Sequence, residues 1–165
     1  MIILGVDPGS AITGYAILKN EKGNKQCLKV IDFGCITTDS FSSTGERLEK
    51  VYKEITKIIK KYKPDVMSIE SLYFFKNLKT VMPVSQAKGV ILLAAAEKKI
   101  PVLEFTPLQV KMTVSGYGRA EKKQVIEMIK KLLDLDEFNL KINNRKKDDA
   151  FDALGLGICA AYKSF

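Results

Sequence analysis

Histidine is absent from this chain of 165 residues, and that absence removes several chemistries at once. Without imidazole there is no Ser-His-Asp or Cys-His relay and no zinc site built on histidine ligands. Cysteine is scarce as well: Cys27, Cys35 and Cys159 are an odd number, and none is spaced from another as a metal ligand. They read as reduced structural thiols of a cytoplasmic protein. No apolar run approaches the roughly 18–20 residues that a bilayer requires. Met1 leads directly into an apolar segment, so neither a membrane span nor a leader peptide is expected. Repeats, low-complexity tracts and dividing linkers are also missing. The expectation is a single cytoplasmic domain over residues 1–165. Its chemistry must rest on carboxylates, lysines, hydroxyls or a metal held by oxygen.

Positive charge, by contrast, is plentiful. The 27 Lys and Arg residues outnumber the 19 Asp and Glu, leaving a net charge of +8. That balance favours a polyanionic partner, although solvated lysines alone produce it in many small proteins. The first segment is the most informative. Ile2, Ile3, Leu4 and Val6 form the near-continuous apolar run of a strand buried on both faces, and it ends in Asp7. An acid at the end of a central strand must be paired, solvated or metal-bound. Pro8-Gly9 then turns the chain, and Thr13 to Leu18 reads as a second strand. Asp-Pro-Gly is also ordinary turn chemistry, so Asp7 alone does not make a site.

Cys27 to Thr37 reads as a third strand, completing an antiparallel meander. Ser42-Ser43-Thr44 supplies helix caps, and Leu48, Val51, Tyr52, Ile55, Ile58, Ile59 and Tyr62 follow at amphipathic helix spacing. Val66 to Glu70 is a fourth strand, again ending in an acid. A helical crossover sets strands one and four parallel; if they are neighbours, Asp7 and Glu70 leave the same edge. Two acids meeting there raise one another's pKa unless a cation lies between them.

Beyond Glu70, Tyr73, Phe74, Phe75 and Lys76 put aromatics and a cation beside that edge, a composition suited to stacking on bases or to core packing. A helix is expected from Ser85, and Gly89 to Ala96 is apolar around its whole circumference, implying burial in a core or against a second subunit. Pro101 to Phe105 is a fifth strand. Gln109 to Lys123 reads as a glycine-hinged loop carrying Lys111, Arg119 and Lys122, and Lys122 to Leu133 as a helix. The last helix runs from about Asp148 to Ser164. Asp149 and Asp152 share a helix face, as do Asp148 and Asp152, and acids in a first turn also simply complement the helix dipole. Small residues further along (Ala153, Gly155, Gly157, Ala160, Ala161) would let this helix lie tight on the sheet.

Taken together, Ile2 to Tyr15, Ile69-Glu70 with Lys76-Asn77, Gln86 to Gly89, Gln109 to Lys111, Gly118 to Lys122 and Asp149-Ala-Phe-Asp152-Ala-Leu resemble the RuvC family of Holliday-junction resolvases. The resemblance implies an α/β, ribonuclease H-like fold: a five-stranded mixed sheet in the order 3-2-1-4-5, flanked by helices. It implies a homodimer that cuts four-way DNA junctions, served by a branch-migration complex of the RuvAB type. It places the catalytic and metal-binding acids at Asp7, Glu70, Asp149 and Asp152 and leaves Asp148 outside the pattern. Tyr73 falls where the family often has phenylalanine, and Lys76, Lys111, Arg119 and Lys122 fall on DNA-facing positions. The apolar helix gives the dimer contact, with Gly89, Leu92, Leu93 and Ala96 as its residues.

Four carboxylates without imidazole or thiolate suit Mg²⁺, with Mn²⁺ as a substitute. Two such ions per site would serve an in-line phosphodiester displacement. Three rivals carry less weight. A YqgF-type nuclease shares the fold and first acid but is usually shorter. An actin-like phosphotransferase needs a second domain. A DNA-binding module without activity has no need for the four acids.

Overall fold

The computed structural model of the chain describes residues 1–21, 28–71, 78–135 and 147–163, and of residues 78–80 and 147 the backbone alone. Three antiparallel strands, β1 (Ile2–Asp7), β2 (Ile12–Asn20) and β3 (Leu28–Thr37), form the meander. On the other side of β1, β4 (Val66–Glu70) and β5 (Val102–Phe105) pair in parallel. The order β3-β2-β1-β4-β5 is the one the resemblance implied. Five helices follow the chain as α1 (Thr44–Tyr62), α2 (Leu78–Glu97), α3 (Pro107–Ser115), α4 (Lys122–Leu133) and α5 (Lys147–Lys163). Among the described residues no helix is long and apolar enough to cross a membrane.

Alternation along the strands divides the core in two. Leu4, Val6, Ile17, Met67 and Ile69 face α1 and α2, meeting Val51, Ile55, Ile59 and Ile91. Ile3, Ala16, Leu18 and Val66 face the other way, toward Phe151, Leu154 and Ile158 of α5 and Ile129 of α4. The start of α1 is fixed reciprocally: Ser43 Oγ accepts from the Glu46 N–H, and the Glu46 carboxylate accepts from the Ser43 N–H. In β3 a register shift passes over Ile31, which pairs with no β2 residue and is 44% exposed. The extra residue reverses the facing of the strand beyond it. Asp32 accordingly turns to α1 and accepts from the Tyr62 hydroxyl, and Phe33 turns to Phe151.

Two expectations need correcting. The second helix begins at Leu78, not Ser85, with Pro83 inside it; proline removes an intrahelical hydrogen bond and crowds the preceding turn, so it reads as a boundary, yet the helix runs through it. Residues expected to open a loop at Gln109 are instead helical. Thr106 caps α3, Pro107 occupies its first turn, the Gln109 side chain returns to the Thr106 N–H, and Gly116 ends it at φ 71°. The expected burial of α2 in a core or against a second subunit is met within the chain on one side only. Ala87, Ile91, Ala94 and Ala95 are buried, while Met82, Gln86, Gly89, Leu93 and Ala96 form an exposed stripe.

Candidate active site

Asp7 and Glu70 close β1 and β4, and the pairing of Val6 with Ile69 sets the two acids side by side. Both belong to the face covered by α5, whose first turns carry Asp149 and Asp152. Contact between helix and sheet is backbone to backbone. A Cβ on Gly5 would lie 2.1 Å from the Ala153 carbonyl oxygen, and one on Gly14 would lie 2.0 Å from that of Asp149. From the helix side, a Cβ on Gly157 would meet Leu18 Cδ1 at 2.6 Å. Gly14 is the partner of Asp7 across the sheet, so the same glycine seats Asp149 beside the strand end. The turn after Asp7 is tied down as well. Thr13 Oγ1 donates to the Gly9 carbonyl at 2.7 Å, and Arg47 Nη2 donates to the Ser10 carbonyl at 2.7 Å. Arg47 Nε donates to Thr38 Oγ1, which itself donates to Ser10.

A cleft of about 290 Å³ opens over this edge, lined by Asp7, Glu70, Asp152, Lys111 and Lys122, with Pro107, Val110, Val125 and Leu156 as its apolar wall. Burial, then the charges of Asp152, Glu70 and Asp149, push the pKa of Asp7 up to about 8, against the pull of Lys122. Glu70 is raised by burial and Asp152, opposed by Lys88 and Lys122; Asp149 is raised by burial and Asp152. Lys122 Nζ donates to Asp152 Oδ2 at 2.9 Å and lies 3.6 Å from Asp148 Oδ2. Burial works against that ammonium, but the bond to Asp152 and the nearby acids outweigh it and raise its pKa. Among the described residues no three acids close into a ready-made metal cluster. The donor set still fits a hard divalent cation. Carboxylate oxygens are the hard donors such a cation takes, and the burial and crowded negative charge that raise the pKa of Asp7 are both conditions that a cation would relieve.

A family model for crossover junction endodeoxyribonuclease RuvC matches residues 3–160. The chain belongs to the RuvC family. It is 51% identical over 158 residues to the crossover junction endodeoxyribonuclease RuvC of Fusobacterium nucleatum, covering 96% of this chain and 78% of that one. The Alkaliphilus metalliredigens protein of the same name is 51% identical over 162 residues, covering 98% and 93%. Thermus thermophilus RuvC, solved in complex with a Holliday junction substrate, superposes with a TM-score of 0.88 at 22% identity, over 99% of this chain and 94% of that one. The fold is therefore the ribonuclease H-like fold of these resolvases.

Of the residues assigned from the RuvC resemblance, Asp7, Glu70, Asp152, Lys111 and Lys122 stand around one cleft, and Asp149 is within the field of Asp7. Arg119 is exposed on the turn ahead of α4. Tyr73 and Lys76 lie outside the described residues, as do Cys27 and most of the basic run at 145–147. Gly89, Leu93 and Ala96 are exposed on α2, but Leu92 is half-buried against the core shared with α1. Leu92 is thus a core neighbour first, and Leu93 the better surface residue. Two residues went unassigned. Lys88, 9% exposed, pairs with Glu104 Oε2 at 2.6 Å and opposes the raised pKa of Glu70. It lies within Gln86 to Gly89, one of the segments that carry the family resemblance, but no role was given to it. Asp148 meets the site through Lys122, a contact that spacing alone could not reveal.

Proposed function

We propose that the chain resolves four-way DNA junctions by metal-dependent phosphodiester hydrolysis, acting as a homodimer that makes paired cuts. The observation that carries this reading is the convergence of acids from β1, β4 and α5 with two lysines in one cleft. Asp7, Glu70, Asp149 and Asp152 would hold Mg²⁺, or Mn²⁺ in its place, in a site of two ions. Bound there, the metal supplies the Lewis acidity that activates water and stabilises the leaving oxygen. Lys111 and Lys122 are placed to neutralise the phosphate that enters. The apolar wall of Val110, Val125 and Leu156 keeps bulk water from one side, which strengthens the fields of the charged groups.

The uncovered stripe of α2 supports the dimer. Gly89 has nothing within 4 Å of where a Cβ would lie, and a glycine inside a helix costs about 1 kcal/mol relative to alanine. Close approach of the same helix from a second copy gives that glycine a purpose. Two sites related by a twofold axis match a junction with two like strands to be cut, and delivery by a branch-migration complex of the RuvAB type would follow. A relative of the same fold, the Thermus thermophilus protein, has been solved with a Holliday junction substrate. The test is Mg²⁺-dependent cutting of a synthetic four-way junction beside a matched linear duplex. Asp152→Asn should abolish cutting and keep binding, since removing negative charge does not weaken attraction for phosphates. Asp148→Asn should retain most activity. Cutting by Asp152→Asn at the wild-type rate would overturn the assignment.

A further inference from the structure

Away from the cleft, the other end of the parallel strands carries a second concentration of positive charge. A cavity of about 360 Å³ opens there, lined by Ile59, Lys60, Lys63, Pro64, Lys98 and Ile100. Lys63 and Pro64 lead into β4 and Ile100 into β5. Glu70 closes β4 at the cleft, so the length of that strand, roughly 16 Å, separates the two sites. The floor of the cavity is apolar: Ile59 and Pro64 are buried and Ile100 is half-buried. Its rim is three exposed lysines from two elements, Lys60 and Lys63 at the end of α1 and Lys98 just past α2. Lysines at helix ends also complement the helix dipole, but that does not account for their standing unpaired around a cavity. Lys57 pairs with Glu54, and Lys61 lies 4.5 Å from the centre of the Tyr62 ring. Among the described residues none of Lys60, Lys63 and Lys98 is in an ion pair. The acids beside them are engaged elsewhere: Asp65 accepts from the Ile2 N–H at 2.6 Å, and Glu97 from the Tyr52 hydroxyl. Lysine also takes both turns at positive φ, Lys63 at 48° and Lys99 at 55°, where glycine is the usual residue.

A cationic rim over an apolar floor selects its occupant. Duplex DNA brings phosphates for the lysines, but its bases are stacked inside and nothing apolar reaches below the rim. A second copy across a twofold axis would set lysine against lysine. A peptide whose carboxylates flank an aliphatic or aromatic side chain satisfies rim and floor together. We infer that this cavity docks an acidic peptide segment of a partner protein, its apolar side chain on Ile59, Pro64 and Ile100 and its carboxylates on Lys60, Lys63 and Lys98. A partner held there, at the opposite end of the strands from Asp7 and Glu70, leaves the cleft open.

The experiment titrates the isotope-labelled protein with a short peptide of Asp and Glu bearing Leu and Phe, following backbone amides by NMR at low salt. Neither DNA nor metal is present, so the result is independent of the reading of the cleft. Saturable shifts should centre on residues 59–64 and 98–100 and leave Lys111 and Lys122 unmoved. Replacing the peptide's Leu and Phe by Ser should weaken binding about tenfold. Lys60→Gln/Lys98→Gln, which removes two rim charges, should do the same. Lys63→Gly separates binding from folding: glycine suits φ 48°, so this variant should melt no earlier than wild type and still bind the peptide more weakly. Shifts that do not saturate at these amides, or that centre on the cleft lysines, overturn the proposal. Affinity unchanged by loss of the rim lysines overturns it too, leaving them to the helix dipoles alone. Equal affinity for the Ser peptide would make the patch a diffuse positive surface, and tighter binding of a DNA duplex at the same amides a nucleic-acid surface; either result sinks the peptide site.

Discussion

Asp7 holds a proton to about pH 8, whereas its ordinary value is 3.8. Over that interval the folded metal-free chain binds more protons than the unfolded one, so stability falls as pH rises from about 4 to about 8. The upward shifts of Glu70 and Asp149 act in the same direction, and the stabilisation from Lys122 is constant over this range, being lost only above its ordinary 10.5. Urea unfolding in EDTA should therefore show a less stable protein at pH 8.5 than at pH 5.5. Asp7→Asn should flatten this dependence and gain on the order of a few kcal/mol at the higher pH. A wild-type profile that rises with pH would contradict it. Asp7 and Glu70 were legible in the sequence because an acid ending an apolar strand stands against its surroundings. Choosing Asp149 over Asp148 needed the family pattern, since both lie in a first turn. Lys88 was illegible because its partner Glu104 is on another element, brought near only by packing.

Elements with strong periodicity were the legible ones: α1, α4 and all five strands fall close to where alternation and helical spacing put them. α3 was missed although Thr106-Pro107-Leu108-Gln109 spells a helix start, because the glycines after it dominate a loop reading. The closeness of α5 to the sheet was half visible. Small residues in the helix suggested it, but the need for glycine at positions 5 and 14 of the strands appears only in three dimensions. Gly14→Ala makes the consequence measurable. Its Cβ would meet a backbone oxygen that cannot rotate away, so helix and sheet must part at the turn that bears Asp149. The variant should lose about 1–3 kcal/mol in urea unfolding and most of its junction cutting. Full activity at unchanged stability would show that α5 can shift without disturbing the acids.

For the molecule as a whole, the stripe of Met82, Gln86, Gly89, Leu93 and Ala96 is the surface on which the proposed dimer rests. Leu93→Glu, at a position 53% exposed in the single chain, should leave the fold intact and place two like charges together in a dimer. Light scattering should report a monomer, with paired cuts reduced to single nicks; an unchanged dimer would assign the interface elsewhere. Association through a helix also requires that the sheet itself not associate. The outer strand β3 is ten residues long, and an open edge of that length invites another chain to add a strand of its own. The bulge at Ile31 interrupts the run, and the exposed Lys29 puts a charge where an incoming strand would settle. Straightening that edge, by deleting Ile31, would remove the barrier to sheet extension and turn a discrete enzyme toward fibrous self-association.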